Sequence, residues 1–399
     1  MRCRTIPVMT SSDTDYDVVI VGGGVAGCAS AYHLATDHDV AIVERGQIAG
    51  EASGLAAGLV APTLFHGSHP DVARYANQWF REFDGTQNFS FHERPRIEFI
   101  QPDSEDVARE RAATLSDEGF PVSFLEPTEV EREYSRFDAS RFAGVVEYAD
   151  TGWVDPYEYT VALQKAAEAR GVDVFRHTPV SDVHVEDGVA EIELPERSLS
   201  AEYCVMATGW RTREFLSEYI DLPIRPFHLQ CAMLRLEEPL DDTFPLGRVA
   251  REELYFRGEL NGDLLVGGGE YLEDNPEVNA SGSGTDDEFR LHVASTIPTV
   301  IHGAERAEFV DGWSGVDAAT PDTLPLLGSS SALPDEIVVA VGLNGLGMVN
   351  SPIAAEAVRS YITGEEPAFS VEQFAVDRFE DGAADFDLRG TFEMEGAGR

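Results

Sequence analysis

The chain has 399 residues, 43% hydrophobic and 10% aromatic, enough to bury a large core in one very large domain or two, which excludes disorder and collagen-like repetition. Its 29 Lys+Arg against 72 Asp+Glu give a formal net charge of −43, a field that repels a nucleic-acid backbone or an anionic lipid headgroup. No single segment holds the acidic excess, which reaches Glu51, Glu105, Glu129, Asp173, Glu252 and Asp286, and the one lysine is Lys165.

Residues 1–15 read as a flexible N-terminus with no apolar stretch long enough for a signal peptide, and either Met1 or Met9 serves as the start. The β-branched run 17–21 predicts a parallel strand buried on both faces. Gly22, Gly24 and Gly27 follow it, then small and apolar residues at helical spacing over 28–35, then a second strand over 39–43 that ends in Glu44. In such a βαβ unit the first glycine permits a tight turn and the second lets backbone N–H groups approach a pyrophosphate. The third packs helix against strand, and the acid accepts from ribose hydroxyls. Arg45 is either a phosphate contact or a solvated charge. The stretch 18–35 is the most apolar, but its glycine triplet and Tyr32 with His33 fit strand, turn and helix rather than a membrane span.

Further along, Pro156 opens a predicted helix over 156–170 that Gly171 stops, and a strand over 172–175 follows. A strand and turn occupy 203–209; a strand over 337–341 leads into the glycine turn 342–348, after which Pro352 opens a helix through 361. Between them, 145–148, 230–236, 253–256 and 263–266 alternate, predicting a mainly antiparallel sheet solvated on one face. Residues 275–287 read as a surface loop, and there are no internal repeats. The expected class is α/β (α+β overall). A doubly wound Rossmann-type domain is assembled from 16–80, 150–215 and 311–364, with a mainly antiparallel substrate domain inserted as 81–149 and 216–310. An acidic tail over 365–399 packs on the surface. Cys3, Cys28, Cys204 and Cys231 are far apart without C-x-x-C, so they read as reduced, mostly buried thiols of a cytoplasmic protein, and the histidines show no metal spacing.

Beyond Glu44 comes GEASGLAAGL at 50–59, small residues whose backbone can lie flat beneath a large ring. With GWVDP at 152–156, HTPV at 177–180, ATG at 207–209, WSG at 313–315, ATPD at 319–322 and GLNGLGM at 342–348, the sequence resembles an FAD-dependent family over about 16–364. This is the family of D-amino-acid, glycine and sarcosine oxidases, and the composition resembles its haloarchaeal, salt-adapted members. The resemblance implies noncovalent FAD. Glu44 and Arg45 match its ribose-binding pair, Ala52, Ser53, Ala57, Gly58 and Leu59 its pyrophosphate and flavin stretch, and Val180 its adenine contact, with Thr208 and Gly209 in the same cofactor set. Gly342, Leu343, Asn344, Gly345, Leu346, Gly347 and Met348 match the loop facing the flavin pyrimidine, at a helix N-terminus whose partial positive charge stabilises negative charge on the reduced ring.

Departures from the family pattern carry as much information. The substrate-clamping arginine of the family falls at Asp317, a second at Gly345, and a sarcosine-oxidase lysine at Val349, so the usual carboxylate clamp is absent. The lysine that promotes reaction with oxygen falls at Leu265, and Lys165, in its predicted helix, cannot replace it. The flavin-linking cysteine falls at Gly315. On the substrate side, His228 and Gln230, Tyr255 and Arg257, and Arg94 and Arg96 are the polar candidates. Arg257 is the expected partner of an anionic substrate group, and Asp317 either pairs with a cationic one or faces solvent. His66 and His69 are expected to be exposed. The activity implied is oxidation of a C–N bond of an amine or amino acid by hydride transfer to the flavin, the imine then hydrolysing, with oxygen or another electron acceptor. The alternatives are oxidation of a C–OH bond with His228 as base, and a non-catalytic FAD-binding subunit. No nucleic acid, membrane span or metal is expected.

Overall fold

The computed structural model describes residues 14–379 and 385–392. The expectations for Cys3, for Met1 against Met9 and for a flexible start up to residue 13 lie outside the described residues, as do 380–384 and 393–399 of the tail. Tyr16–Val21 is the centre of the first sheet, and Val18, Val19 and Ile20 are fully buried because both its faces and both its edges are covered. Val40–Val43 and then Asp173–Phe175 lie parallel on one side, and Ser198–Met206 lies parallel on the other. Ser198–Met206 is long enough to serve two partners. Its first half pairs with the hairpin Asp182–Glu186 and Val189–Glu193, and its last residues run parallel to Ile337–Val341. Helices Val25–Leu34, Pro156–Glu168 and Gly347–Thr363 cover one face of this Rossmann-type sheet, and Leu216, Leu222, Ile224 and Leu333 help cover the other.

The last of these helices starts five residues before the predicted position, at Gly347, and Pro352 lies inside it. Proline has no N–H for the carbonyl one turn back. Here the Ser351 hydroxyl donates to that carbonyl, of Met348, at 2.9 Å, so the helix continues without an orphaned acceptor. The glycine loop therefore runs directly into a helix N-terminus.

The second sheet has eight strands, in the order Glu308–Ala319, Arg225–Arg235, Leu264–Leu272, Leu254–Gly258, Leu246–Val249, Arg96–Ile100, Gly144–Tyr148 and Val122–Leu125. Neighbours are antiparallel except Leu246–Val249 with Arg96–Ile100. The alternation predicted a solvated face, but Arg96–Ile100 is buried on both. Ile97, Phe99, Ala232, Leu234, Phe256 and Val266 enter one core with Phe137 and Phe289, whereas Leu229, Cys231, Arg248 and Tyr255 face a cavity against the first sheet. Polar residues at alternate positions here mark a site wall and not bulk water. Glu308–Ala319 belongs to this sheet, so the segment read as 311–364 is divided between the two sheets.

Two further segments differ from expectation. Residues 275–287 include the short helix Pro276–Asn279, and the Asp286 side chain caps helix Asp287–Thr296 by accepting from Phe289 N at 2.7 Å. The tail does more than lie on the surface: Phe369, Phe374 and Val376 are buried, and Arg378 forks onto Asp322 at 2.7 and 2.9 Å. Beyond this, Arg225 donates to the Phe386 carbonyl at 2.7 Å, and Thr391 and Phe392 reach the cavity.

A charge of −43 on this surface opposes compactness by self-repulsion, and the Debye length shrinks to about 3 Å at 1 M ionic strength. The melting temperature should therefore rise with added potassium chloride. A flat profile from low to molar salt would remove the salt-adapted reading of the composition.

Candidate active site

The turn from Tyr16–Val21 into helix Val25–Leu34 is built for glycine. A Cβ on Gly22 would stand 2.3 Å from the Ala207 carbonyl oxygen, and one on Gly27 would stand 2.1 Å from the Gly22 carbonyl oxygen. Glu44 accepts from Gly23 N at 2.7 Å and Gly46 N at 2.6 Å, which fixes its carboxylate beside the helix N-terminus. Gly24 starts that helix without a side-chain cap, and Ser53 Oγ accepts from Val25 N at 2.9 Å. Around this turn runs a cavity of about 800 Å³ lined by Gly22, Gly24, Glu44, Arg45, Ala52, Ser53, Val180, Thr208, Gly209, Gly342 and Leu343. A chain of ion pairs crosses its wall: Arg45 with Glu51, Glu51 with Arg211 at 2.7 Å, and Arg211 with Glu277 at 2.7 Å. Backbone N–H groups at a helix start, an acid after the second strand and space too close for any Cβ are what a dinucleotide requires, so these residues fit FAD.

Val25, Ala52, Ser53, Asp317 and Leu343 are shared with a second cavity of about 110 Å³. One side of it is Ala57, Gly58 and Leu59, another is Gly345, Leu346, Gly347 and Met348, and the second sheet closes it. A planar ring entering from the dinucleotide cavity would lie between the small-residue run and the glycine loop. Gly27 and Asn344 do not line either cavity. Gly27 lets helix and strand approach, and Asn344, at φ 55°, ties the loop by accepting from Thr320 N at 2.8 Å.

The substrate-side candidates separate. Tyr255 lines the second cavity beside Cys231, and burial pushes the phenol well above its usual range and the Cys231 thiol up to about 12. Asp317 also lines it but is anchored, accepting from Ala318 N and Gly345 N at 2.8 Å each; burial raises its pKa and these two N–H groups oppose the rise. Arg257 does not line it. Its Nε donates to the Ala57 carbonyl at 2.7 Å, its Nη2 meets Glu259 at 2.9 Å, and its guanidinium lies 4.1 Å from the Trp153 ring centre, so it braces the flavin stretch from behind. His228 is likewise outside both cavities, with Nδ1 3.0 Å from Glu273 and its ring stacked on Tyr271. Gln230 exchanges hydrogen bonds with Asp286, and Arg94 donates to the Glu93 carbonyl at 2.6 Å. Leu265 is buried with Ala57 and Cys231, Gly315 lines the cavity, and Val349 is buried in the helix.

His66 is the one histidine whose expected exposure is reversed. It is 1% exposed, its Nε2 lies 2.8 Å from Asn350 Oδ1, and burial drives its pKa down to about 4, so it stays neutral while tying helix Pro62–His66 to the glycine-loop helix. Among the cavity residues that sequence reasoning missed are Arg248, Phe65, Thr391 and Phe392. Arg248 sits in a four-residue strand too short for periodicity to reveal, and the other three have no local motif. Replacing Arg257 by Met leaves the Ala57 carbonyl and Glu259 without their cation and should cost about 3 kcal/mol of stability. Unchanged denaturant unfolding would show that the brace is dispensable.

Among the described residues, no helix is long and apolar enough to cross a membrane, and no group of three or more His, Cys, Asp or Glu is placed to hold a metal ion.

Known proteins resemble this chain in sequence and in fold. The chain is 29% identical over 385 residues to a glycine oxidase of Geobacillus kaustophilus, covering 91% of this chain and 97% of that protein. It is 24% identical to the mitochondrial dimethylglycine dehydrogenase of Rattus norvegicus, covering 91% of this chain but 45% of that longer protein. Its fold superposes on the crystal structure of L-proline dehydrogenase from P. horikoshii with a TM-score of 0.83 at 20% identity, covering 91% of this chain and 97% of that one. Residues 17–360 match the family described as FAD dependent oxidoreductase, and with the dinucleotide cradle and the ring-sized gap beside it in place, the chain belongs to that family of FAD-dependent enzymes.

Proposed function

We propose that this enzyme oxidises a C–N bond of an amino acid or amine, the product imine then hydrolysing to a carbonyl compound and an amine or ammonia. The chemistry supplied by bound FAD is acceptance of a hydride. The chain's own part is to hold the substrate carbon against the ring slot and to keep water out. The observation that carries this reading is the make-up of the second cavity's wall. Its titratable groups are Tyr255 and Cys231, both held protonated by burial, the anchored Asp317, and two arginines. Oxidation of a neutral amine needs no side-chain base, whereas the C–OH alternative needs one, and its candidate, His228, is engaged with Glu273 elsewhere. The named activities of the relatives support the same bond.

Gly315 and the protonated Cys231 favour noncovalent FAD, so acid precipitation should leave the flavin in the supernatant. Leu265, in place of a cation, favours slow reoxidation by oxygen and another electron acceptor, and the net charge of −43 favours a salt-rich cytoplasm of haloarchaeal type. The test is an anaerobic panel in high salt that pairs each amino acid or amine with its hydroxy analogue. Bleaching of the flavin by the nitrogen compound alone supports the reading; bleaching by the hydroxy analogue alone overturns it.

A further inference from the structure

The second cavity is small, about 110 Å³, and part of its wall comes from far along the chain. Thr391 and Phe392 line it together with Tyr255, Leu229 and Phe65. The Phe392 ring stacks on Tyr255, with centres 6.0 Å apart and planes 20° apart, and lies 4.8 Å from the Arg248 guanidinium. An aromatic side chain at a cavity of this size occupies room that a ligand would otherwise fill.

The segment that delivers these two residues is held along its length. Arg225 donates to the Phe386 carbonyl at 2.7 Å. Further on, Thr391 N donates to Glu270 at 2.7 Å, the Thr391 hydroxyl donates to the same carboxylate, and the Thr391 carbonyl accepts from Arg248 Nη2 at 3.4 Å. Ordering a segment costs conformational entropy at every residue, which these bonds and the burial of Thr391 offset. Three glycines make room for the arrangement. A Cβ on Gly390 would stand 2.3 Å from Glu270 Oε2, so glycine there lets the carboxylate close on Thr391. A Cβ on Gly267 would stand 2.2 Å from the Tyr255 ring, and one on Gly345 would stand 3.0 Å from the Thr391 methyl.

We propose that Phe392 is a specificity-determining residue: seated by Thr391 on Glu270, it forms the wall that limits how long an apolar group of the substrate can be. That the ligand so limited is the substrate rests on the C–N oxidation proposed above. The substrate is then a small amine or amino acid whose apolar part is short. Because the limit is set by the segment 385–392, substrate size is tuned without altering the ring slot or the cores of the two sheets. Glu270 and Gly390 do not line the cavity and are positioning residues.

Straight-chain primary amides from acetamide to octanamide carry no oxidisable amine and measure the space alone. They are titrated anaerobically into FAD-loaded enzyme, following the flavin spectrum and the melting temperature. In the unaltered enzyme affinity should rise about fourfold per added methylene and then stop rising within the series. Phe392→Ala should let the rise continue, so that the longest amide gains about tenfold or more relative to acetamide, and Phe392→Trp should stop it at a shorter chain. Gly390→Ala, whose new methyl displaces Glu270 from Thr391, should extend the series as Phe392→Ala does. An affinity that climbs steadily through octanamide in the unaltered enzyme overturns the proposal whether or not the variants fold, as does a stop at the same chain length in all of them. Failure of every amide to bind, in the unaltered enzyme and in Phe392→Ala alike, also overturns it. A stop that moves with residue 392 while no amine or amino acid bleaches the flavin keeps the wall and removes C–N oxidation. Bleaching by amines with an unmoved stop does the reverse.

Discussion

Replacing Gly22 by Val should give protein that folds but emerges without FAD. At φ 117° an L side chain is strained by roughly 1–3 kcal/mol, and its Cβ would stand 2.3 Å from the Ala207 oxygen. Relief requires Ala207 to move, and with it Thr208 and Gly209, which line the dinucleotide cavity. The loss therefore falls on the cofactor passage more than on the core, and flavin content per chain should drop by about tenfold or more if only the equivalent of 1.4 kcal/mol reaches binding. Quantifying flavin released from the purified variant checks this. Full loading would show that the turn does not approach the cofactor.

Changes at Asp317 should divide by charge. Arginine there would supply the residue type that the resemblance implies for this position, yet the position is buried, and its carboxylate accepts from Gly345 N and Ala318 N. Asp317→Arg puts a cation where two N–H groups point and should cost about 3–5 kcal/mol, loosening the glycine loop and losing FAD. Asp317→Asn keeps an acceptor for one of those N–H groups. Burial raises the pKa of Asp317, so the folded chain binds its proton more tightly than the unfolded chain. Stability is then lost as pH rises from the ordinary carboxylate range through the raised folded value, and the ionised form is the costly one. The asparagine variant should gain in melting temperature relative to the unaltered protein across that window and keep the gain at neutral pH. A difference independent of pH would mean that ionisation at 317 carries no cost.

The parts of the site legible in the sequence are those whose chemistry is local. A pyrophosphate needs glycines at short fixed spacing between a strand and a helix, and a flat ring needs a run of small residues, so 22–27, 50–59 and 342–348 announce themselves. The far wall of the second cavity is assembled differently. Arg96, Arg248 and Thr391 are separated by more than a hundred residues at each step and meet only because Arg96–Ile100 and Leu246–Val249 pair and the tail folds back. Strand alternation says that Tyr255 and Arg257 share a face, but not that Trp153, Glu259 and the Ala57 carbonyl cover Arg257 while Tyr255 reaches the cavity. The helix boundary at Pro352 was misplaced for a smaller reason: one hydroxyl, on Ser351, takes the bond that the proline cannot make.

The most direct test of C–N oxidation is a single anaerobic turnover of FAD-loaded enzyme with an N-methylated amino acid, assaying flavin reduction, carbonyl product and released amine in the same sample. The account predicts that all three appear in equal amounts. Flavin reduction without a carbonyl product and a freed amine, or no reduction by any amino acid or amine in the panel, would contradict it.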